Sequence, residues 1–368
     1  MTKVYCAAPW RGLHITTEGD VKPCCSGAYG FGNINEQNIK EILNSLSWQE
    51  LREQIASNDI PNYCIGCKQQ GDVTTSERNW HNNNSLDIND LGSNYHAPAI
   101  LDVRWSNACN LMCVYCNPND SSMWAKKLSI PLQTKRKEYY TNVIDYITAH
   151  QQNLKTVALI GGEPLLIPQC ADLLDNIPDT VDIHVISNLS LNLENNPVFQ
   201  RLSTRKKVRW SVSFENVGKQ FEFVRRGASW EQLTKNLDLL LGLERTQGHI
   251  IDIHAILNIL SLSAFKVLTD FAFDKRIKIV FQFLDQPAEL DLRKFPKHIV
   301  NTIKTQAENV YKDIQTEWDE HNTIVQYFAA DQIEVPDQID NFYKFVNECS
   351  TEDLKFNQLW PELDQLLR

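Results

Sequence analysis

The sequence lacks any hydrophobic stretch long enough to cross a lipid bilayer. No apolar run approaches the ~18 residues that a transmembrane helix requires. The N-terminus, MTKVYCAAPW, also lacks the apolar core of a secretory signal peptide. We therefore expect a protein that has no membrane partner and stays in the cytoplasm.

The sequence also has no excess of positive charge. Its 36 Lys and Arg residues are outnumbered by 46 Asp and Glu residues, so that the formal net charge is −10. Because no broad basic surface follows from this balance, we predict no nucleic-acid partner. The 368 residues, 42% of them hydrophobic, otherwise have an ordinary globular composition and suit one large α/β domain with smaller attachments.

Cysteine is present but unevenly distributed. Eight of the ten cysteines lie in the first 116 residues. In a reducing compartment, clustered cysteines indicate metal binding rather than disulfides. The other two, Cys170 and Cys349, fall on helical patterns, and we predict that they are packing residues.

From residue 99 the sequence alternates between candidate strands and helical patterns. Six segments are predicted strands: AILDVRW, KTVALIG, VDIHVIS, KVRWSVSF, IIDIHAIL and IKIVFQF. Helical patterns such as RKEYYTNVIDYITAHQ lie between them, and only helical patterns follow residue 288. This alternation predicts βαβ units and a parallel sheet, either open or rolled into a barrel.

Alternate positions on these strands are polar, while their neighbours are apolar. We expect the apolar positions to face the helices and the polar positions to face inward. The inward set is Asp102, Arg104, Ser106, His184, Asn188, Arg209, Ser211, Ser213, Glu215, Asp252, His254 and Asn258. Such an inner wall predicts a wet channel. The alternative is a set of internal ion pairs in which the two arginines of the first and fourth strands face Asp102, Glu215 and Asp252.

Three cysteines follow the first predicted strand in the stretch ACNLMCVYC. Cys109, Cys113 and Cys116 are separated by three and two residues, which is one ligand short of a closed metal site. Three thiolates on one loop can hold three irons of a [4Fe–4S] cube and leave the fourth iron open. An open coordination position is typical of a catalytic metal site.

These residues resemble the signature of the radical S-adenosylmethionine (SAM) superfamily. The Cys-x3-Cys-x2-Cys motif has an aromatic residue, Tyr115, before its last cysteine, and LIGGEPLL ends the next strand. The stretch SVSFENVGKQFEFVRRG resembles the fourth-strand region of the family. The resemblance covers about residues 99–287 and implies a partial (β/α)6 TIM-like barrel.

The resemblance also implies the roles of particular residues. Cys109, Cys113 and Cys116 would ligate a [4Fe–4S] cluster whose open iron binds the amino and carboxylate groups of SAM. The GGE residues Gly161, Gly162 and Glu163 would meet the SAM amino group. Arg225 would pair with the SAM carboxylate, with its neighbour Arg226 as the alternative.

Other predicted cofactor contacts lie at the ends of the strands. Ser187, Asn188, Ser211 and Ser213 are candidates for ribose or carboxylate contacts. Asn258 is a candidate for the adenine side, and Tyr115 of the motif belongs to the same cofactor-binding set. For Ser211, Ser213 and Asn258 the alternative is ordinary lining of the channel.

A second cysteine pattern precedes the predicted barrel. Cys6, Gly19 and Cys24 are followed by YCIGC, which contains Cys64 and Cys67. The pattern resembles the twitch domain, the shortened SPASM module of radical SAM enzymes, although that module follows the barrel in the better-known enzymes. Four cysteines suit a fully ligated auxiliary [4Fe–4S] cluster. A structural zinc site is the alternative, because four cysteines that include a Cys-x2-Cys pair also hold zinc.

Two other residues of this segment have no place in the pattern. Cys25 is adjacent to Cys24, and we predict a bystander thiol; a proton acceptor near the substrate and an alternative ligand are the other hypotheses. His14, in GLHITTEG, alternates as if on a strand of the twitch module, and we predict a structural role.

The predicted organisation has four parts along the chain. Residues 1–70 form the twitch module, 71–98 a linker or lid, 99–287 the barrel and 288–368 a helical C-terminal extension. The resemblance implies an enzyme that cleaves SAM reductively to a 5′-deoxyadenosyl radical and abstracts hydrogen from a substrate. It also implies an electron donor such as flavodoxin or ferredoxin.

The sequence leaves the substrate open. An auxiliary cluster can accept an electron from a substrate radical, which favours a net oxidation. The family acts on ribosomally made peptides and on small sugars or aminocyclitols. We favour a peptide, with a small-molecule dehydrogenase as the alternative and a non-catalytic zinc-binding protein as a hypothesis of another class. The sequence does not indicate the general acid or base, or the oligomeric state.

Overall fold

A long, mostly parallel β-sheet forms the centre of the molecule. The computed structural model describes residues 5–65, 67, 77–84, 97–131, 137–284, 286–318 and 323–368. Its strands are β1 (Gly12–Ile15), β2 (Val21–Lys22), β3 (Ile100–Val103), β4 (Met112–Cys113), β5 (Thr156–Leu159), β6 (Asp182–Ser187), β7 (Val208–Ser213), β8 (Arg225–Arg226), β9 (Ile250–Leu257) and β10 (Lys278–Phe283).

The strand order of the large sheet is β10-β9-β7-β6-β5-β3-β1-β2. From β3 to β10 the neighbours are parallel and follow the chain order, as in a partial TIM-like barrel. Helices fill the connections, because parallel neighbours require a crossover. The α/β fold and all six predicted strands are confirmed, each within two residues of its predicted limits.

The N-terminal segment contributes two strands to this same sheet. Strand β1 pairs in parallel with β3, so that Leu13 lies opposite Leu101 and His14 opposite Asp102. Strand β2 pairs antiparallel with β1 and forms the edge. The sequence predicts a strand around His14 but gives no sign that it extends the sheet of the barrel.

Helices surround the sheet and continue beyond its last strand. The α-helices of the described residues are Ala8–Arg11, Ile39–Leu43, Leu46–Ala56, Glu77–Asn84, Ser122–Lys127, Lys137–Ala149, Pro168–Asp175, Pro197–Thr204, Gly218–Val224, Trp230–Gln247, Ile259–Ser263, Phe265–Lys275, Lys297–Trp318, Thr323–Ala329, Gln338–Cys349, Phe356–Leu359 and Pro361–Leu367. None of them is both long and apolar enough to cross a membrane. Cys170 and Cys349 lie on two of these helices and are buried, as predicted.

One hydrophobic core joins the barrel to the N-terminal segment. The outward strand positions predicted to be apolar are buried: Leu101, Val103, Ile183, Val185, Val212, Phe214, Ile251 and Ile253. Ile39, Ile42 and Trp48 of the N-terminal helices belong to the same core cluster. Within the predicted linker, Glu77–Asn84 form a helix, and Asn82 on it accepts a hydrogen bond from the Ala7 N–H at 2.8 Å.

Polar side chains of the inner face bind one another. The Asp252 carboxylate accepts a hydrogen bond from Ser211 Oγ at 2.6 Å and pairs with Arg209 Nε at 2.7 Å. His184 Nε2 lies 2.8 Å from Ser211 Oγ. Across the sheet, Asp102 Oδ2 lies 2.8 Å from a ring nitrogen of His14 and 3.4 Å from an Arg104 nitrogen.

These pairs largely match the internal ion pairs that the sequence raises as the alternative to a wet channel. The exception is Glu215, which pairs with Arg225 rather than with an arginine of the first or fourth strand. His184, Ser213 and His254 are nevertheless partly exposed. The inner wall therefore contains both polar side chains that pair with one another and partly exposed side chains that solvent reaches.

Candidate functional site

The loop that carries Cys109, Cys113 and Cys116 follows β3. It pairs with β8, which comes after β7 in the chain. Cys113 lies in β4 and pairs antiparallel with Arg225 of β8. Next to it, the Val114 N–H donates to the Val224 carbonyl at 2.8 Å. The loop is therefore held by a backbone ladder, which fixes the position of Cys113.

The helix Ser122–Lys127 holds the other side of this loop. The Cys109 N–H donates to Ser122 Oγ at 3.0 Å, and that hydroxyl also donates to the Cys109 carbonyl at 3.1 Å. The Trp124 indole N–H donates to the Cys113 carbonyl at 2.9 Å. Ser121 Oγ caps the start of the helix and donates to the Leu111 carbonyl at 2.7 Å.

Hydrogen-bond donors surround the sulfur atoms of the loop. Cys109 Sγ lies 3.5 Å from the Leu111 backbone nitrogen and 3.8 Å from Asn188 Nδ2. Cys113 Sγ lies 4.0 Å from Arg225 Nη1. Burial, aided by the charges of Cys116 and Cys109 and opposed by Arg225, raises the pKa of Cys113 to about 12, so the three thiols lie within electrostatic reach of one another.

The GGE stretch packs against the backbone of the cysteine loop. The Glu163 N–H donates to the Ala108 carbonyl at 2.7 Å, and the Gly162 N–H donates to the Ser106 carbonyl at 3.3 Å. A Cβ at Gly162 would overlap the Ala108 carbonyl oxygen, so glycine is required there for this close approach. Gly161 has φ +133°, which also favours glycine.

Glu163 is a fully buried carboxylate that joins β6 to the GGE stretch. Its oxygens accept hydrogen bonds from Ser187 Oγ at 2.8 Å, from the Asn188 N–H at 2.8 Å and from the Leu165 N–H at 3.1 Å. Burial nevertheless raises the pKa of Glu163 to about 7. Ser187 and Glu163 therefore meet directly, whereas the sequence predicts that each of them contacts SAM.

Asn188 links β6 to the cysteine loop. Its Nδ2 donates to Asn110 Oδ1 at 3.2 Å, besides facing Cys109 Sγ. Its Oδ1 accepts hydrogen bonds from the Ser190 N–H and hydroxyl at 3.0 and 2.6 Å. Asn188 thus lies beside the predicted cluster ligands.

Arg225 and Tyr115 meet at Glu215. Arg225 Nη2 lies 2.8 Å from Glu215 Oε2, and the Tyr115 hydroxyl donates to the same oxygen at 2.9 Å. Their side chains are buried, with Arg225 5% and Glu215 0% exposed. Burial raises the pKa of Tyr115 well above its ordinary value. The sequence places Arg225 and Tyr115 among the cofactor contacts but does not indicate that Glu215 joins them.

The remaining predicted contacts are not brought to the cysteine loop. Ser211 is buried in the network with His184 and Asp252. Asn258 is fully buried and caps the helix Ile259–Ser263, since its Oδ1 accepts from the Leu260 and Ser261 N–H groups. Ser213 stays partly exposed on the inner face.

Three of the four cysteines of the N-terminal pattern lie in or against a small apolar cluster. Cys6 is buried in it together with Trp10 and Tyr63, and Cys24 and Cys64 pack against it. Burial and the charge of Cys67 raise the pKa of Cys64 to about 11. Burial raises the pKa of Tyr63, and the charges of Cys24 and Cys64 raise it further.

The pattern glycine and Cys25 have distinct positions in this segment. Gly19 has φ +95°, and a Cβ there would overlap the Asn35 side chain, so the turn requires glycine. Cys25 is exposed.

Within the described part of the chain, no three His, Cys, Asp or Glu side chains converge on a site for a single metal ion. A [4Fe–4S] cube binds each cysteine at a separate iron, so this finding concerns single-ion sites alone.

Two regions of the chain match known families. Residues 103–267 match the model of the radical SAM superfamily, and residues 6–68 match the SPASM model of an iron-sulfur cluster-binding domain. The two matches identify a radical SAM domain that follows a SPASM domain along the chain. The SPASM match also bears out the prediction that the cysteine-rich module precedes the barrel. No curated protein matches the chain.

Two solved structures are similar to part of the chain at low identity. SuiB of Streptococcus suis, bound to the precursor peptide SuiA, is 15% identical, and the alignment covers 67% of this chain and 54% of that one, with a TM-score of 0.45. Native anSMEcpe with bound AdoMet and Cp18Cys peptide is 14% identical over 59% of this chain and 60% of that one, with a TM-score of 0.42. The chain thus spans less than two thirds of the length of both structures.

The two domains together imply [4Fe–4S] clusters and SAM as cofactors. The residues around the cysteine loop fit such a group, because a thiol that binds iron loses its proton and becomes an anion. Cys109 faces an N–H and an amide, and Cys113 faces a guanidinium, which are the donors that stabilise a thiolate. Arg225 Nε and Glu215 Oε1 are buried, and neither has a hydrogen-bond partner among the described residues.

The sequence does not predict the residues that bind the backbone of the cysteine loop from the helix Ser122–Lys127. Ser122 and Trp124 bind its backbone, and the SSMW stretch that contains them carried a recognisable signal, a serine cap at the start of a short helix. The sequence predicts that Glu215 is a polar inward position, but its partner depends on how β8 returns to the loop. No local pattern indicates that return.

Proposed function

We propose that the chain is a radical SAM enzyme whose cluster is held by Cys109, Cys113 and Cys116. The observation that carries the proposal is the cysteine loop at the carboxyl end of β3, where catalytic groups of β/α barrels lie. Its sulfurs face donors and its backbone is held on both sides. When bound, the reduced cluster and SAM supply a 5′-deoxyadenosyl radical that takes a hydrogen atom from the substrate.

The residues of the loop and of the neighbouring strands would orient SAM. Glu163 would accept the SAM ammonium group, since a carboxylate complements an ammonium. Arg225 or Arg226 would pair with the carboxylate of SAM. Ser213 is partly exposed on the inner face and would contact the ribose or carboxylate.

We further propose that Cys6, Cys24, Cys64 and Cys67 hold an auxiliary [4Fe–4S] cluster in a twitch-type module. Tyr63 and the apolar residues around these thiols would keep water away from the cluster. Such a cluster would accept an electron from the substrate, so the overall reaction would be an oxidation. Flavodoxin or ferredoxin would supply the electron that starts it.

The proposed substrate is a ribosomally made peptide, and oxidation of a sugar or aminocyclitol is the second candidate. The partly exposed polar positions of the inner wall would admit either. Coexpression with a peptide encoded beside the gene, followed by mass spectrometry, separates the two. Loss of hydrogen from that peptide supports the first candidate, and an unchanged peptide favours the second.

The central test is the formation of 5′-deoxyadenosine from SAM by anaerobically reconstituted protein under dithionite. We expect the nucleoside with the unaltered chain and none with Cys113→Ala. The matched control is Cys170→Ala, which removes a buried thiol from the helix Pro168–Asp175 and should retain the activity. Retained cleavage in Cys113→Ala would contradict the assignment.

Metal analysis tests the hypothesis of a non-catalytic zinc protein. Iron with inorganic sulfide in the purified protein would exclude a protein that holds zinc alone. Zinc without iron would overturn the enzyme proposal.

A further inference from the structure

A buried ion pair lies directly behind Cys113. Arg225 Nη2 is 2.8 Å from Glu215 Oε2, and their side chains are 5% and 0% exposed. Water therefore has little access to either side chain. Burying two opposite charges is costly, and an apolar pair of similar volume is often as stable. Stability alone therefore does not explain why these charges are here.

The pair is oriented so that its positive end faces the cysteine sulfur. Arg225 Nη1 lies 4.0 Å from Cys113 Sγ, whereas the Glu215 carboxylate is bound to the other guanidinium nitrogen, Nη2. Tyr115 donates to Glu215 Oε2 at 2.9 Å, and the guanidinium carbon lies 5.6 Å from the centre of its ring. Backbone pairing of Cys113 with Arg225 fixes the same geometry.

We propose that the Glu215–Arg225 pair sets the reduction potential of the cluster bound by Cys113. This inference rests on the proposed function, because it requires the cluster at the cysteine loop. A positive charge beside a cluster sulfur stabilises the reduced, more negative state and raises the potential. Glu215 lies behind the guanidinium, so it opposes this effect less strongly and holds Arg225 in place.

The geometry predicts an order of potentials in four proteins. Glu215→Gln leaves the guanidinium uncompensated and should have the highest potential. The unaltered chain comes next, followed by Arg225→Met/Glu215→Leu, which removes both charges. Arg225→Met alone leaves the carboxylate and should lie at or below the double variant. Low dielectric inside the protein makes these differences measurable.

The experiment is a redox titration followed by electron paramagnetic resonance, without SAM. All proteins carry Cys64→Ala and Cys67→Ala so that only one cluster contributes to the signal. Arg201→Met is the matched control, since Arg201 lies on the helix Pro197–Thr204 and pairs with Asp175. It should leave the potential unchanged.

The outcomes separate this inference from the proposed function. The order given above supports the inference. Potentials that do not move, or that move in one direction for both single variants, overturn it while the cluster assignment stands. No cluster signal in the protein with intact Cys109, Cys113 and Cys116 overturns both. If Arg225→Met does not fold, the double variant and Arg225→Lys, which keeps the charge but shortens its reach, complete the comparison.

Discussion

Glu163 provides a test of SAM binding that depends on a single carboxyl group. Burial raises its pKa to about 7, although three hydrogen bonds favour its ionised form. An ammonium group placed beside this carboxylate would stabilise the anion. Binding of SAM should then displace a proton below pH 7, so the affinity should fall by up to about tenfold for each pH unit below that value.

Anaerobic calorimetry on the holoprotein between pH 6 and pH 8 measures this dependence. Glu163→Gln should bind SAM more weakly and lose the dependence. Without SAM the sign is opposite: a carboxyl group with a raised pKa stabilises the fold most at low pH, and that contribution is lost as the pH rises through about 7. If the affinity of the unaltered chain for SAM does not vary with pH, Glu163 does not bind the SAM ammonium group. Its role would then be limited to the hydrogen bonds with Ser187 and Asn188.

Residues with a local signal were predicted more fully than residues that depend on distant partners. The cysteine and GGE positions follow from short motifs. Asn258 has a local signal too, because Asn is a preferred residue at a helix N-terminus, and its contact with the adenine stays a prediction. The pairing of Glu215 with Arg225 could not be predicted, since it follows from the return of β8 to the cysteine loop.

The strands show the same distinction at the level of elements. The six strands from β3 to β10 could be predicted because apolar and polar residues alternate along them and helical patterns lie between them. The position of β1 in the sheet could not be predicted, because 84 residues separate the end of β1 from the start of β3. With only four residues, β1 also carries little information about its register. Its register is instead marked by a polar pair, His14 opposite Asp102.

His14 should therefore matter for the docking of β1 to β3. It lies 2.8 Å from Asp102 Oδ2, and both residues are buried. His14→Leu keeps most of the volume but removes a hydrogen bond to a charged group, which should lower the free energy of unfolding by about 1.5–3 kcal/mol. Arg201→Ala, at the exposed pair with Asp175, is the control and should lower the free energy of unfolding less than His14→Leu does.

Urea denaturation at several pH values measures both changes. Burial would raise the pKa of Asp102, but His14 and Arg104 outweigh it and lower the pKa below its ordinary value. A lowered carboxyl pKa stabilises the fold above the pKa of the unfolded chain, and the contribution is lost as the pH falls through the folded value. The difference between His14→Leu and the unaltered chain should thus be full near pH 7 and shrink in acid. Equal losses in the two variants near pH 7 would contradict the docking role.

At the scale of the whole molecule, the SPASM region and the radical SAM domain share one hydrophobic core. Leu13 and Ile15 of β1 are buried in the same cluster as Leu101 and Val103 of β3. Trp48 belongs to it and donates its indole N–H to the Pro9 carbonyl at 2.8 Å. Because β1 buries apolar side chains against β3, we expect this N-terminal segment to stabilise the barrel independently of any cluster that it holds.

Removal of the auxiliary ligands and removal of the segment should therefore have different results. Cys64→Ala/Cys67→Ala keeps β1 in the sheet, so the protein should stay folded, lose about half of its iron and form 5′-deoxyadenosine without product, since only the auxiliary cluster is lost. Deletion of residues 1–68 exposes the edge of β3 and its apolar contacts, and the remaining barrel should aggregate. Size-exclusion chromatography, circular dichroism and iron analysis distinguish the two. A soluble, folded deletion variant that cleaves SAM would show that the barrel does not need β1, and full product from the double cysteine variant would show that the auxiliary cluster does not take part in turnover.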